Sequence, residues 1–125
     1  MERTGQRHID LAYLAGLVDG EGCFLFNKGA HVRVESTSRS VIEKLHEVFG
    51  GTCAVCSRKT AQDRVVFTWS VYGQLAAYVC TQLEAYLVDK RIQAILLSRI
   101  YRYPPGSAMR ESIITRLSAI KRADS

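Results

Sequence analysis

Residues 12 to 22 read Ala-Tyr-Leu-Ala-Gly-Leu-Val-Asp-Gly-Glu-Gly, and Ala12, Gly16 and Gly20 recur at every fourth position. Four residues is close to one helical turn, so on a helix the three make a stripe with almost no side chain standing above it. Such a stripe lets a second helix approach backbone to backbone. Membrane helices use the same geometry, but the helix predicted here, His8 to Gly20, is too short to span a bilayer. Its apolar residues Ile9, Leu11, Leu14, Leu17 and Val18 lie almost all round, which predicts burial on most faces. The spacing alone favours an ordinary buried helix with a glycine-rich end. The end of the stripe is acidic: Asp19 and Glu21 sit among the unpaired carbonyls of the helix C-terminus. Were two such helices to pack side by side, their Glu21 carboxylates would meet.

The rest of the chain alternates periods. Cys23 to Lys28 and His31 to Glu35 have a strand period, with Phe24, Phe26, Val32 and Val34 inward. Gly29-Ala30 separates them as a turn. Ser38 or Ser40 can cap a helix running to Phe49, with Val41, Ile42, Leu45 and Val48 on its core face. Gly50-Gly51 stops it. Thr52 to Lys59 and Arg64 to Val71 read as strands joined by a turn. Helices are predicted from Gln74 to Ala85 and from Leu87 to Tyr103, and Pro104-Pro105-Gly106 ends the second. Ser107 opens a last helix with Met109, Ile113, Leu117 and Ile120 on one face. Two hairpins separated by a helix predict an α+β layer: a four-stranded antiparallel sheet, helices on one face, and the other face left for solvent or a ligand.

A chain of 125 residues, 47% of them hydrophobic, is expected to form one domain over residues 1–125. Its net charge is +5, carried by twelve Arg and five Lys. Arginine suits bidentate contact with phosphates and guanine edges, although charge alone does not establish a polyanionic partner. Carboxylates converging on a basic domain point to Mg²⁺ facing phosphates. Cys53 and Cys56 have a metal-like spacing, but residues three apart on a strand face opposite ways. Buried, reduced thiols are the expectation for the cysteines. His8, His31 and His46 fall on separate elements, so no Ser-His-Asp or Cys-His set proposes another chemistry. Residues 1–7 do not read as a secretory signal and no apolar run is long enough for a membrane span. An intracellular protein is expected, with bacterial, phage and organellar settings all open.

Leu14 to Gly22 resembles the motif of the LAGLIDADG homing endonucleases, departing only by Val18 for Ile and by Gly20-Glu21 for Ala-Asp, exchanges the family pattern allows. The likeness continues in Leu87-Val88-Asp89-Lys90-Arg91-Ile92-Gln93-Ala94, which is similar to the family's Leu-x-x-Lys-x-x-Gln-Ala run. It covers most of residues 8 to 103 and implies the αββαββα order already read from the periods. The resemblance implies a metal-dependent DNA endonuclease that uses Mg²⁺, with Mn²⁺ as a substitute. Glu21 is then the metal-binding carboxylate, completed by the Gly20 carbonyl. Asp19 is a mainly structural acid, and Lys90 the basic residue beside the active site. Ser36 stands near the position where the family often has Gln. Arg39 is a candidate for the water network.

The motif occurs once, and a site of this kind needs two. A homodimer joined through Ala12, Ala15, Gly16, Asp19 and Gly20 is therefore expected, with a near-palindromic double-stranded target. Strands of about nine residues would span about 30 Å, close to one turn of DNA. Alternation nominates Leu25, Asn27, His31, Arg33 and Glu35 as readers and puts Arg64, Thr68 and Ser70 together on the groove side of the fourth strand, with Arg58 and Lys59 near the turn; a solvated face is the other reading for each. An RNA maturase acting on an intron, or a DNA-binding protein that does not cut, would use the same scaffold. RNA would be the maturase's partner.

Overall fold

The computed structural model describes residues 2–59 and 65–124, and the side chains of residues 5–55 and 65–121. The order is α1 (Glu2–Glu21), β1 (Gly22–Phe26), β2 (Ala30–Ser36), α2 (Arg39–Phe49), β3 (Thr52–Lys59), β4 (Val65–Tyr72), α3 (Gly73–Leu83), α4 (Arg91–Arg99) and α5 (Ala108–Asp124), with a 3₁₀ turn at Ile100–Arg102. The strands form one antiparallel sheet in the order β1-β2-β4-β3. The α+β fold and the αββαββα order read from the periods are both borne out.

Register fixes the two faces. Phe24, Val32, Val71 and Trp69 point to one side, where Leu14, Val18, Leu45, Leu83, Leu87, Leu97 and Ile100 meet them in the core. Each fully buried Leu contributes about 1.5–3 kcal/mol. The ion pair that ties α2 to α1, Lys44 to Asp10 at 3.4 Å, is partly exposed and belongs to a class worth about 1 kcal/mol at most. Apolar burial therefore holds the helices on the sheet. Trp69 is wholly buried, and its indole N–H finds a partner in the Gly50 carbonyl at 2.8 Å.

Several boundaries differ from the periodic reading, each for a local reason. α1 begins at Glu2 rather than His8. Its polar early turns are tied across to α3 and the turn after it: Arg7 donates to Gln82 Oε1 at 2.9 Å, and the imidazole of His8 bonds the Tyr86 hydroxyl. Nor is α1 buried all round, since Ile9 is 64% and Tyr13 52% exposed. The helix predicted from Leu87 starts only at Arg91, because the Asp19 carboxylate draws the backbone of residues 88–90 into a turn. The strands have five to eight residues, so the longest span about 26 Å rather than 30. Asn27 lies in the β1–β2 turn, where Lys28 takes φ +62°. Met109 is exposed, while Ile113 and Leu117 carry the core face of α5. Cys80 is buried and its thiol is pushed up strongly by burial, but Cys53 is exposed on the helix side of the edge strand β3. Ser38 stands at the N-terminus of α2, although its hydroxyl bonds Ser40 rather than a helix N–H. No helix among the described residues is long and apolar enough to cross a membrane.

The α2–β3 corner depends on glycine. Gly51 takes φ +91°, and a Cβ there would lie 2.6 Å from the Ser70 carbonyl and 2.7 Å from Val71 Cγ1. Gly51→Ala is expected to lower stability by roughly 2 kcal/mol or more, seen as a lower denaturation midpoint with an unchanged slope; a midpoint equal to that of the parent would contradict this account of the corner.

Candidate active site and nucleic-acid face

The last turn of α1 is where the predicted site residues converge. Glu21 is the final residue of the helix and is exposed, as is Gly20 before it. Asp19 is half-buried and turned inward. Its two carboxylate oxygens accept the backbone N–H groups of Val88 at 2.8 Å and Lys90 at 3.0 Å. A carboxylate at a helix C-terminus is disfavoured by that helix's dipole, but this one also faces the N-terminal end of α4, where negative charge is favoured. Lys90 completes the clasp: its amine donates to the Asp19 carbonyl at 2.6 Å. The lysine is thus anchored through both its backbone and its side chain on Asp19, two residues before Glu21. Leu87, Gln93 and Ala94 are buried, so most of the Leu-x-x-Lys-x-x-Gln-Ala run is scaffold for that one cation. At the other side of the motif, Gly22 is needed for close approach. A Cβ there would lie 2.6 Å from both the carbonyl and Cγ1 of Val18.

Of two further nominated residues, one stands elsewhere and one turns its side chain away. Arg39 opens α2, pairs with Glu43 at 2.8 Å, and lines a groove with Cys53, Val55 and Phe67 at the β3 edge. The intervening β2 and β4 separate that edge from β1, where Glu21 leads in. Ser36 lies on the core side of β2 with Val34, and its hydroxyl accepts the Ser38 N–H at 3.0 Å. Among the described residues no three His, Cys, Asp or Glu side chains cluster as a metal site.

The outward helical face divides the proposed interface residues. Ala12, Gly16 and Gly20 are exposed beside Ile9 and Tyr13, and a Cβ at Gly16 or Gly20 would meet nothing within 4 Å. Ala15 is fully buried in the chain's own core, and Asp19 is committed to the clasp. The stripe is therefore Ala12, Gly16 and Gly20 with Ile9 and Tyr13 as its flanks.

The sheet's open face carries Cys23 and Leu25 from β1, His31, Arg33 and Glu35 from β2, Thr68, Ser70 and Tyr72 from β4, and Thr52 and Ala54 from β3. Leu25, His31, Arg33, Glu35 and Thr68 are half-buried there; Asn27 is exposed in the turn beyond. Ser70 is only 7% exposed and shares a hydrogen bond with His31 Nε2 at 3.3 Å, so it supports a neighbour more than it faces outward. Burial, then the Arg33 guanidinium, holds the His31 imidazole below its ordinary pKa. The side chains of Arg58, Lys59 and Arg64 lie outside the described residues. Tyr72 was missed because the alternation of β4 was read only to Val71; carrying it one residue further would have placed this ring on the open face.

No protein-family model matches the sequence, and no curated protein does. Solved structures do. The homing endonuclease I-CvuI in complex with its target in the presence of calcium is 20% identical, with a TM-score of 0.65 over 86% of this chain and 82% of that one. A second structure of I-CvuI, with the I-CreI target and magnesium, is 21% identical with a TM-score of 0.60, covering 90% of this chain and 77% of that one. The archaeal intron-encoded homing endonuclease I-Vdi141I complexed with DNA is 13% identical, with a TM-score of 0.68 over 90% of this chain and 84% of that one.

Asp19→Ala removes the acceptor for two backbone N–H groups. It is expected to cost about 1–2 kcal/mol in equilibrium unfolding; unchanged stability would mean that the clasp is not what holds α4 to α1.

Proposed function

Because the chain has the fold of the LAGLIDADG homing endonucleases, we propose that it is a site-specific endonuclease. It cuts both strands of a near-palindromic DNA target as a homodimer, with a divalent cation. The observation that carries this reading is the end of α1, where Glu21 is exposed two residues beyond the Asp19 carbonyl on which the Lys90 amine is fixed. The three solved structures of similar fold are complexes of homing endonucleases with target or DNA, which supports the same partner here.

The donor set fits a hard cation. Mg²⁺ takes one or two protein carboxylates and fills the rest of its octahedron with water and phosphate oxygens. Glu21 and the Gly20 carbonyl would hold it, and a second copy would bring a second Glu21. Mg²⁺, or Mn²⁺ in its place, would supply charge neutralisation at the phosphate and a water ionised near neutral pH. Lys90 spends one of its three N–H bonds on Asp19 and directs positive charge toward a phosphate or its ordered waters. Asp19 keeps that lysine from swinging away. His8 is bonded to Tyr86, His46 is exposed on α2, and His31 lies beyond the reach of Glu21 along the strands. No histidine is therefore placed as the base.

The homodimer reading rests on one motif per chain and on a helical stripe that the chain's own packing does not require. With strands of eight residues at most, about 26 Å of sheet, the open face reads about eight base pairs per half-site directly.

Glu21→Gln is expected to lower strand nicking by at least about a hundredfold while DNA binding in a gel-shift assay is largely kept. A variant that nicks like the parent would remove Glu21 from the site. Gly16→Leu puts a branched side chain on the stripe and is expected to sediment as a monomer; a stable dimer of this variant would place the interface elsewhere.

A further inference from the structure

At the end of the sheet away from Glu21, three side chains of the open face form one unit. His31 begins the exposed run of β2 and pairs with Leu25 on one side and Tyr72 on the other. The imidazole and the phenol stack, with centroids 4.3 Å apart and planes at 16°. Ser70 holds the ring edge through Nε2 at 3.3 Å. The exposures differ in a telling way: Ser70 is 7% exposed and His31 is half-buried, while Tyr72 is 59% exposed. A tyrosine so exposed adds little to the core. Its visible effect is on the histidine, which is gripped on its face by Tyr72 and on its edge by Ser70. Gripping removes rotamer freedom that would otherwise be lost on binding, and it leaves Nδ1 for a base edge.

Resting on the reading of the open face as a DNA surface, we propose that Tyr72 is a positioning residue for specificity. It holds His31 against one base pair of each half-site, about four base pairs outward from the cut. The distance comes from the strand: Leu25, the partner of His31, is four residues beyond Glu21, about 13 Å at the rise of a β-strand. DNA covers that length in about four base pairs at ~3.4 Å each. Ser70 fixes the edge of the ring and Tyr72 covers its face, while Arg33, two residues nearer Glu21, reads about two base pairs further inward.

The test compares the DNA sequences cut from a randomised library, with Mg²⁺, by the parent chain, Tyr72→Ala, Tyr72→Phe and His31→Ala. The expected result is that Tyr72→Ala and His31→Ala lose base preference at the same single position in each half-site. The preference there falls about tenfold, the scale of one lost base contact, while Tyr72→Phe keeps the parent profile because it keeps the stack. An unchanged profile for Tyr72→Ala would overturn the proposal. So would a loss spread evenly over all positions, or a Tyr72→Phe profile as degraded as that of Tyr72→Ala. If Tyr72→Ala does not fold, His31→Ala alone must show the single-position loss, and its failure to do so overturns the proposal equally. A parent chain that enriches no cut sequence would instead remove the endonuclease reading, and this inference with it.

Discussion

One carboxylate joins the two parts of the chain that matter most. Asp19 accepts the backbone N–H groups of Val88 and Lys90, while its own carbonyl accepts the Lys90 amine. The motif helix and α4 are far apart in sequence, yet a single residue fixes their relative position to within hydrogen-bond tolerance. Without it, the N–H groups of Val88 and Lys90 would lose their acceptor, and the backbone that carries Lys90 would be held only by the lysine's own bond to the Asp19 carbonyl. Charge-assisted bonds of this kind are worth about 1.5–3 kcal/mol where they are shielded. That is enough to set the geometry of a site, though not enough to build the fold, which comes from the apolar layer between helices and sheet.

The motif helix then divides its faces between two tasks. Leu11, Leu14, Ala15 and Val18 are buried in the chain's own core, and Ala12, Gly16 and Gly20 lie on the outward side. The glycines on that outward side weaken a helix by roughly 1 kcal/mol each relative to alanine, and nothing within the chain crowds them. A cost without an internal gain is explained if a second backbone has to come close. The same helix ends in Glu21, so under this reading approach of the second helix also brings the two carboxylates together.

Much of this is legible in the sequence. Strand periods gave the correct inward sets, Phe24 with Phe26 and Val32 with Val34, because burying one sheet face imposes a period of two. The motif placed Asp19, Glu21 and Lys90 in one neighbourhood through its likeness to a known family. Other features were not readable because they depend on partners distant in sequence. Ala15 looks like part of the small-residue stripe, but it lies about 100° round the helix from Gly16, and only the packing shows that Ala15 is covered while Gly16 is not. The late start of α4 is caused by a side chain 69 residues away from Val88, which no local pattern contains. Arg39 had the right chemistry, but it opens α2 beside the β3 edge, with β2 and β4 between it and β1. Tyr72 lay one residue past the assigned end of its strand, where periodicity is weakest.

The central claim is that one helix makes both the interface and half of each catalytic centre. It is tested most directly with mixed dimers. One parent chain and one Glu21→Gln chain, carrying different affinity tags, are purified together and given a supercoiled plasmid bearing the target with Mg²⁺. The account predicts that such a dimer accumulates nicked circles, with a single strand cut and little linear product. Linear product formed at the parent rate would contradict it, because a full double-strand break would then need only one intact Glu21.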